Sequence, residues 1–170
     1  MKINKSEFRQ VLGSFLTGVT VITSKNAKGE SIGFTANSFT SVSIEPPLIL
    51  VCLTKSSYLC EGFKRCQSFV VNILSEQQRD VSSTFASPIQ DRFENIDTIT
   101  SNTGNPILTG STAWLDCALH EVLDGGDHII LMGQVLEFEN LGRPPLGYLQ
   151  GNYLNVSLGE EVTAALENPS

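Results

Sequence analysis

Residues 33–53, GFTANSFTSVSIEPPLILVCL, place a run of small polar side chains directly before an apolar run. The apolar half, LILVCL, predicts a buried strand, because a short apolar run bounded by turn residues is typical of one. The polar half fits two interpretations: a turn whose side chains bond their own backbone, or a surface that contacts a flat polar ligand. The polar side chains concerned are Thr35, Asn37, Ser38, Thr40, Ser41 and Ser43.

A candidate phosphate site follows the apolar run. The segment LILVCLTKSSYL predicts a strand, a short loop and a helix that begins at Ser56 or Ser57. A helix N-terminus presents free N–H groups and a partial positive charge, which favour a phosphate, and Lys55 would add a full charge. A plain serine N-cap explains the same two serines. The sequence has neither the GxxxxGK[ST] nor the GxGxxG fingerprint of the common nucleotide-binding loops.

Strand patterns dominate the remainder of the chain. Apolar and β-branched runs bounded by turn residues predict about six strands. The segment DGGD supplies the turn of a long hairpin, with Gly125 and Gly126 at its tip. The remaining strand-like runs are GVTVITSK, residues 31–35, SFVVNIL, AWLDCALHEVL, HIILMGQVLEF and a short strand within residues 146–156.

Three helices are predicted around these strands. Four apolar residues at helical spacing predict an amphipathic helix over residues 6–16, with Ser6 as its cap. The segment SSYLCEGFKRC predicts a second helix, and a capping box at residues 75–78 opens a third that runs to about Phe85. Residues 87–112 predict a long surface excursion. The pattern favours a mainly β fold with flanking helices, built as a closed antiparallel barrel.

Length and charge narrow the possible functions. With 170 residues the chain is long enough for one domain with a substantial core. The net charge of -7 argues against nucleic acid as the main partner, because phosphate backbones are bound by clusters of Lys and Arg. No apolar run approaches the roughly 18 residues that span a bilayer, so no membrane partner is expected. The N-terminus, MKINKSEFRQ, lacks the apolar region of a secretory signal, and a cytoplasmic location is therefore expected.

The four cysteines, Cys52, Cys60, Cys66 and Cys117, are expected to be reduced thiols that act as small hydrophobes. None of them lies in a CxxC pair. Cys117 and His120, in the segment CALH, suggest a pair of metal ligands, but residues three apart on a strand point to opposite faces. We therefore expect neither a metal site nor a disulfide framework.

The ordered motifs of the chain resemble those of the flavin reductase-like family, whose fold is the FMN-binding antiparallel split β-barrel. The most specific combination is TANSFTSVSxxPPL, a distal GGDH and a final Tyr-x-x-Gly-x-Tyr. The resemblance implies one domain over residues 1–156, followed by an acidic tail over residues 157–170. The other matching pieces are FLTGVTVIT, SSYLCEGF, FVVNIL, FASP, DRF, GNPIL, AWLDCAL, GGDHIILMGQV and PLGYLQGNY.

In this family a flavin lies in a groove at a homodimer interface. The resemblance therefore implies a homodimer whose flavin lies on the polar half of the opening segment, residues 35–43, which we call the hydroxyl-rich stretch. A site built from small residues is also too shallow to bury the flavin ring on one protomer, which favours a twofold interface. Arg92 is either a phosphate partner or a solvated loop charge. The implied flavin residues are Thr35, Ala36, Asn37, Ser38, Ser41, Val42, Ser43, Cys52, Leu53, Ser56, Ser57, Phe85, Arg92 and Phe93.

The resemblance implies a nicotinamide site formed by His128, Tyr148, Gly151 and Tyr153. Tyrosine rings suit planar stacking, whereas a lone histidine is more often structural. The implied reaction is hydride transfer from C4 of NADH or NADPH to N5 of the flavin. No catalytic side chain is expected, because the cofactors carry the chemistry.

The implied function is that of an NAD(P)H:flavin oxidoreductase that supplies reduced FMN, or FAD, to a separate flavin-dependent monooxygenase. One alternative is a flavoprotein that retains FMN and passes electrons to another protein. A second is a non-catalytic flavin-binding or flavin-storage protein. The sequence leaves open the choices between FMN and FAD and between NADH and NADPH, because it shows no ribose-selecting motif.

Overall fold

A computed structural model of the protein describes residues 3–89 and 91–157, which form twelve strands and three helices. None of the helices in these two ranges is long and apolar enough to cross a membrane. The helices are α1 (Lys5–Gly13), α2 (Cys60–Arg65) and α3 (Arg79–Ala86). The strands are β1 (Thr17–Gly18), β2 (Thr20–Lys25), β3 (Ser31–Ala36), β4 (Thr40–Ser43), β5 (Leu48–Thr54), β6 (Ser68–Ile73), β7 (Thr98–Thr100), β8 (Pro106–Leu108), β9 (Ala113–Gly125), β10 (His128–Asn140), β11 (Leu146–Leu149) and β12 (Asn152–Asn155).

Within the described ranges, the main sheet has seven antiparallel strands in the order β3-β2-β6-β9-β10-β5-β4. The loop between β3 and β4 is held against β5, because the Ser38 hydroxyl accepts a hydrogen bond from the Cys52 N–H at 2.9 Å and donates to the Cys52 carbonyl at 3.3 Å. The long β9–β10 hairpin is confirmed, and Gly126 adopts a φ of 78° in its turn. The mainly β antiparallel fold with flanking helices is therefore confirmed.

The largest apolar core lies on one face of this sheet and is closed by α2. Phe63 of α2 is fully buried there and meets the Phe34 ring edge-on at 4.9 Å between centroids. Burying a side chain of this size stabilises the fold by about 1.5–3 kcal/mol. Gly133 of β10 is needed for close packing, because a Cβ atom there would lie 2.5 Å from Cζ of Phe69. The β5 residues that alternate into this core are Ile49, Val51 and Leu53.

A second core forms on the opposite face of β2, where Val21 alternates with Ile22. It receives Phe85 from α3 and Leu146 from β11, which lies in a separate sheet of order β1-β11-β12. Residues 146–156 therefore hold a hairpin of two strands, and the single strand expected there is wrong.

Residues 87–112, expected to be an irregular excursion, contain the short β7–β8 hairpin. The side chain of Asn72 fixes this hairpin to the main sheet. Its Oδ1 accepts a hydrogen bond from the Leu108 N–H at 2.8 Å, and its Nδ2 donates to the Val21 carbonyl at 3.0 Å. The amide is fully buried, so it satisfies backbone groups that would otherwise lose their hydrogen bonds to water.

All three helix starts differ from the sequence prediction, and α3 begins only at Arg79, after the capping box expected at residues 75–78. Helix α1 is capped by Asn4 rather than Ser6, because the Asn4 Oδ1 accepts a hydrogen bond from the Ser6 N–H at 3.0 Å. Helix α2 begins only at Cys60, and residues 55–59 form turns. The hydroxyl of Ser57 accepts a hydrogen bond from the Leu59 N–H at 3.2 Å, so it stabilises a local turn instead of capping a helix.

Candidate functional site

Two cavities meet at the end of β3, on the hydroxyl-rich stretch. Thr35, Ala36 and Asn37 line both of them. The first cavity has a volume of about 350 Å³ and the second about 210 Å³. The end of one strand thus forms a wall that the two cavities share.

The first cavity is lined by most of the residues that the family resemblance assigns to a flavin, together with His128. Strands β5 and β10 pair with Thr54 opposite His128, which brings the start of β10 beside the exit of β5. Residues that are far apart in the sequence therefore converge at one edge of the sheet. Besides the shared wall, the expected residues that line this cavity are Ser38, Cys52, Leu53, Ser57, Phe85, Arg92 and His128.

His128 presents a half-exposed ring to the first cavity, and its side chain is 44% exposed. Its Nδ1 lies 2.7 Å from Oδ1 of Asp127. This hydrogen bond holds the pKa of the Asp127 carboxyl below its usual value. The bond orients the imidazole through one nitrogen and does not use Nε2. The exposure of the ring agrees better with a ligand contact than with a packed strand terminus.

The turn that follows β5 carries serine hydroxyls, but the helix N-terminus that was expected there is absent. Helix α2 starts at Cys60, so the helix-dipole basis for a phosphate site at Ser56 and Ser57 is wrong. Ser57 accepts one hydrogen bond, from a backbone N–H, and its own O–H is still able to donate. Ser56 is exposed, and its Oγ lies 3.0 Å from Oγ1 of Thr54.

The nearby lysine is engaged across the β9–β10 turn. The Nζ of Lys55 lies 2.6 Å from Oδ2 of Asp124. This hydrogen bond lowers the pKa of the Asp124 carboxyl. The Lys55 N–H also donates to the Asp127 carbonyl at 2.9 Å. These contacts fix the turn that carries His128 against the exit of β5.

Arg92 is a buried part of the cavity wall, only 7% exposed, so its interpretation as a solvated loop charge is wrong. Its guanidinium donates to the Gly33 carbonyl at 2.6 Å, to the Ile89 carbonyl at 3.1 Å and to the Ser87 carbonyl. These bonds tie the loop after α3 to β3. The guanidinium also lies under the Tyr58 ring, 5.3 Å from its centroid.

The two phenylalanines expected to close over the flavin lie in different places. Phe85 is almost fully buried in the second core and lines the first cavity. Its ring contacts β3, because a Cβ atom on Gly33 would come within 2.8 Å of it. Phe93 packs edge-on against Phe85 at 5.0 Å and lines a separate surface depression with Ser31 and Glu94.

The second cavity holds the tyrosine pair. Tyr148 and Tyr153 are paired across β11 and β12, with ring centroids 5.5 Å apart. The Tyr153 hydroxyl lies 2.9 Å from Oγ of Ser82, and the Ser82 carbonyl accepts a hydrogen bond from the Thr35 hydroxyl at 2.6 Å. The tyrosines therefore reach the shared wall from the second cavity, whereas His128 reaches it from the first.

The remaining expected residues lie away from both cavities. Ser41, Val42 and Ser43 belong to the edge strand β4, and Val42 is 45% exposed. Gly151 adopts a φ of 83° in the turn between β11 and β12, where it faces α1. On one protomer, these residues line neither of the two cavities.

Sequence reasoning missed Ser82 and Ala86 of α3. Both line the second cavity, and Ala86 also lines the first. They are four residues apart, so they share one face of the helix. That spacing within the segment SSTFA, beside the FASP motif, is the signal that could have revealed them.

The titratable groups of the described residues form no cluster of His, Cys, Asp and Glu that could hold a metal ion. The four cysteines are free thiols, as expected. Burial raises the pKa of the Cys117 thiol to about 12, whereas Cys52 is half-buried and lines the first cavity.

Comparison with known proteins identifies the family. The model of the flavin reductase like domain matches residues 12–157. The chain is 49% identical over 160 residues to a probable flavin reductase of Rhizobium meliloti, a match that covers 94% of this chain and 51% of that protein. It is 41% identical over 163 residues to the reductase subunit of a flavin-dependent monooxygenase from Rhodococcus jostii, with 95% and 83% covered.

A solved structure shows the same architecture. The NADH:FAD oxidoreductase of Streptomyces globisporus, in complex with NAD and FAD fragments, matches with a TM-score of 0.88 at 33% identity. The match covers 93% of this chain and 96% of that one. The fold is therefore the split barrel of the flavin reductases, and the chain belongs to the flavin reductase like domain family. It spans about half the length of the Rhizobium meliloti relative.

Proposed function

We propose that this chain is an NAD(P)H:flavin oxidoreductase that binds FMN or FAD along the shared wall of the two cavities. The observation that carries the proposal is the convergence on Thr35, Ala36 and Asn37 of a cavity with a half-exposed histidine and a cavity with a tyrosine pair. Membership of the flavin reductase like domain family supports the same activity.

The residues at this site fit a flavin. The volume of the first cavity, about 350 Å³, lies within the range of roughly 300–1,000 Å³ that small-molecule sites occupy. Small side chains at Ala36, Ser38 and Ala86 leave room for a flat ring. Asn37 and Ser57 supply hydrogen-bond donors for polar groups of the ribityl phosphate. When bound, the flavin accepts a hydride from a reduced nicotinamide.

The chain's own residues orient the two partners of that reaction. The shared wall holds the flavin, and Arg92 keeps the loop after α3 in place as one side of the cavity. His128 directs Nε2 towards the nicotinamide nucleotide, where this nitrogen, the acceptor of the neutral ring, can accept a hydrogen bond from the carboxamide NH2 group. Its bond to Asp127 fixes the direction of the ring. Correct positioning is the main contribution that a protein makes to hydride transfer between cofactors.

A homodimer completes the proposed site. Helix α1 has no buried residue, and its apolar side chains Phe8 and Leu12 are 51% and 58% exposed. Phe15, just beyond the helix, is 76% exposed. Large apolar side chains exposed together on one helix favour an interaction site. A second copy of the chain is the partner that we propose for it, in agreement with the shallow site on one protomer.

The consumer of the reduced flavin is proposed to be a separate flavin-dependent monooxygenase. The relative from Rhodococcus jostii is the reductase subunit of such an enzyme. The relative from Streptomyces globisporus is described as an NADH:FAD oxidoreductase, which favours NADH and admits FAD beside FMN. The alternatives are a protein that retains FMN for electron transfer and a flavin-storage protein. His128 and the tyrosine pair favour a nicotinamide site over storage.

Turnover measurements separate these possibilities. The oxidation of NADH and of NADPH is followed with and without added FMN, FAD or riboflavin. A diffusible-flavin reductase oxidises the nucleotide in proportion to added flavin, whereas a protein that retains FMN is saturated by one equivalent. Flavin binding without nucleotide oxidation would refute the reductase and leave a storage role.

A further inference from the structure

Tyr58 is a large aromatic side chain that the proposed reaction does not use. It directly follows Ser57, and 61% of it is exposed. Its hydroxyl donates a hydrogen bond to the Ile89 carbonyl at 3.3 Å. The guanidinium of Arg92 lies 5.3 Å from the ring centroid, over one face of the ring. The ring is therefore held from one side and from its tip, while most of the residue's surface is exposed to solvent.

The ring stands at the rim of the first cavity. Its neighbour Ser57 and its stacking partner Arg92 both line that cavity, whereas Tyr58 itself lies just outside the lining. Arg92 is held in turn by hydrogen bonds to the Gly33 and Ile89 carbonyls. Because these bonds fix the position of the guanidinium, the aromatic face at the rim is arranged before any ligand arrives. Pre-arrangement lowers the entropic cost of stacking a second ring there.

We propose that Tyr58 is a stacking platform for the adenine of a dinucleotide whose reacting half occupies the first cavity. The proposal rests on the proposed function, since FAD and NAD(P)H each consist of a reacting half joined by a pyrophosphate to adenosine. Adenine is flat and uncharged, and it stacks on aromatic rings without needing further side chains to recognise it. FMN and riboflavin have no adenine and would leave the platform empty.

The first test compares flavins by calorimetric titration. FAD, FMN and riboflavin are titrated into the wild-type protein and into Tyr58→Ala and Tyr58→Phe. If FAD provides the adenine, Tyr58→Ala weakens FAD binding about tenfold, as expected for the loss of one stacked base. The affinities for FMN and riboflavin stay nearly unchanged. The Tyr58→Phe variant retains the ring and therefore the preference for FAD. Equal losses for FAD and FMN would overturn the proposal, because they would show that Tyr58 merely shapes the cavity.

The second test addresses the other possible source of the adenine. With FMN as acceptor, the Michaelis constants for NADH and for reduced nicotinamide mononucleotide are measured in the same variants. If the adenine belongs to NADH, Tyr58→Ala raises the constant for NADH and not that for the mononucleotide, and flavin affinities stay the same. No selective loss in either test would overturn the proposal. A wild-type protein that binds no flavin would instead refute the proposed function, so the two failures are distinguishable.

Discussion

Asn37 is an exposed residue of the hydroxyl-rich stretch, and its neighbours Thr35 and Ser38 show that the stretch has more than one role. Thr35 bonds the Ser82 carbonyl of α3, and Ser38 bonds both backbone groups of Cys52. Asn37 itself is exposed and lines both cavities. Thr35 and Ser38 thus bond backbone groups of other elements, so the interpretation as a turn that bonds its own backbone is wrong for these two side chains. The interpretation as a ligand surface stays a prediction, for which the exposed Asn37 is available.

We expect Asn37→Ala and Ser57→Ala to weaken flavin binding, because each removes a donor at the first cavity. A lost hydrogen bond costs about 0.5–1.5 kcal/mol net, and more where a charged phosphate is the acceptor. The Ser57→Ala substitution should therefore weaken the binding of FMN more than the binding of riboflavin, which has no phosphate. Calorimetric titration of both flavins measures this difference. Equal losses for the two flavins would contradict the assignment of Ser57 to the phosphate.

We expect His128→Ala to raise the Michaelis constant for NAD(P)H, to lower turnover, or both, with little change in flavin affinity or melting temperature. The half-exposed ring contributes little packing, so its loss removes a contact to the nucleotide and not part of the core. Steady-state rates, flavin titration and thermal melting are measured on the same variant. His120→Ala, an exposed histidine on β9, is the matched control. Reduced stability with unchanged kinetics would remove His128 from the site.

Replacing Arg92 by Met should destabilise the fold by more than about 2 kcal/mol, because a buried guanidinium that satisfies several carbonyls is lost. Urea unfolding monitored by circular dichroism measures the change. Arg143→Met provides the comparison, since Arg143 is exposed and donates to the Ser111 carbonyl at 2.8 Å. Similar losses for the two variants would show that burial of Arg92 is not what makes it important.

At the scale of elements, the sequence predicted well those strands whose apolar residues form a pattern. Strand β5 alternates buried and half-buried positions, and β9–β10 is a long hairpin with glycines at its turn. The β7 strand could not be predicted in this way, because all three of its residues are exposed. The start of α2 was wrong because Ser57 stabilises a turn with the same hydrogen-bonding capacity that caps a helix.

The sequence predicted some parts of the candidate site better than others. The resemblance identified the segments that line the first cavity, since their motifs are continuous in sequence. It did not show that His128 and the tyrosine pair belong to different cavities, because that division follows from the separate β1-β11-β12 sheet. It also missed Ser82 and Ala86: their spacing places them on one face of α3, but the cavity that this face lines is formed only when α3 packs against the second core.

The exposed apolar face of helix α1 is the proposed homodimer contact. If its apolar face is the homodimer contact, replacing Phe8 and Leu12 by Ser should shift the protein to a monomer, because desolvated apolar area is what holds such an interface. Sedimentation velocity over a range of concentrations measures the shift. Phe138→Ser is the control, since Phe138 is 73% exposed on a different element. An unchanged dimer in the α1 variant, or a monomeric wild type with full activity, would contradict this role of α1.

For the whole molecule, the rates at which the cysteine thiols are alkylated distinguish ligand binding from global unfolding. Burial raises the pKa of Cys117 to about 12, so at pH 8 its thiol is protonated as well as shielded, and unfolding returns it towards the ordinary value near 8.5. We expect iodoacetamide to modify half-buried Cys52 in the native protein, FMN to slow that reaction, and Cys117 to react only when the fold opens. Mass spectrometry of the modified peptides, with and without FMN and urea, measures all three rates. If Cys117 is modified as fast as Cys52 in the native protein, the rigidity of the core is contradicted. If FMN does not change the rate at which Cys52 is modified, flavin binding at the first cavity is contradicted.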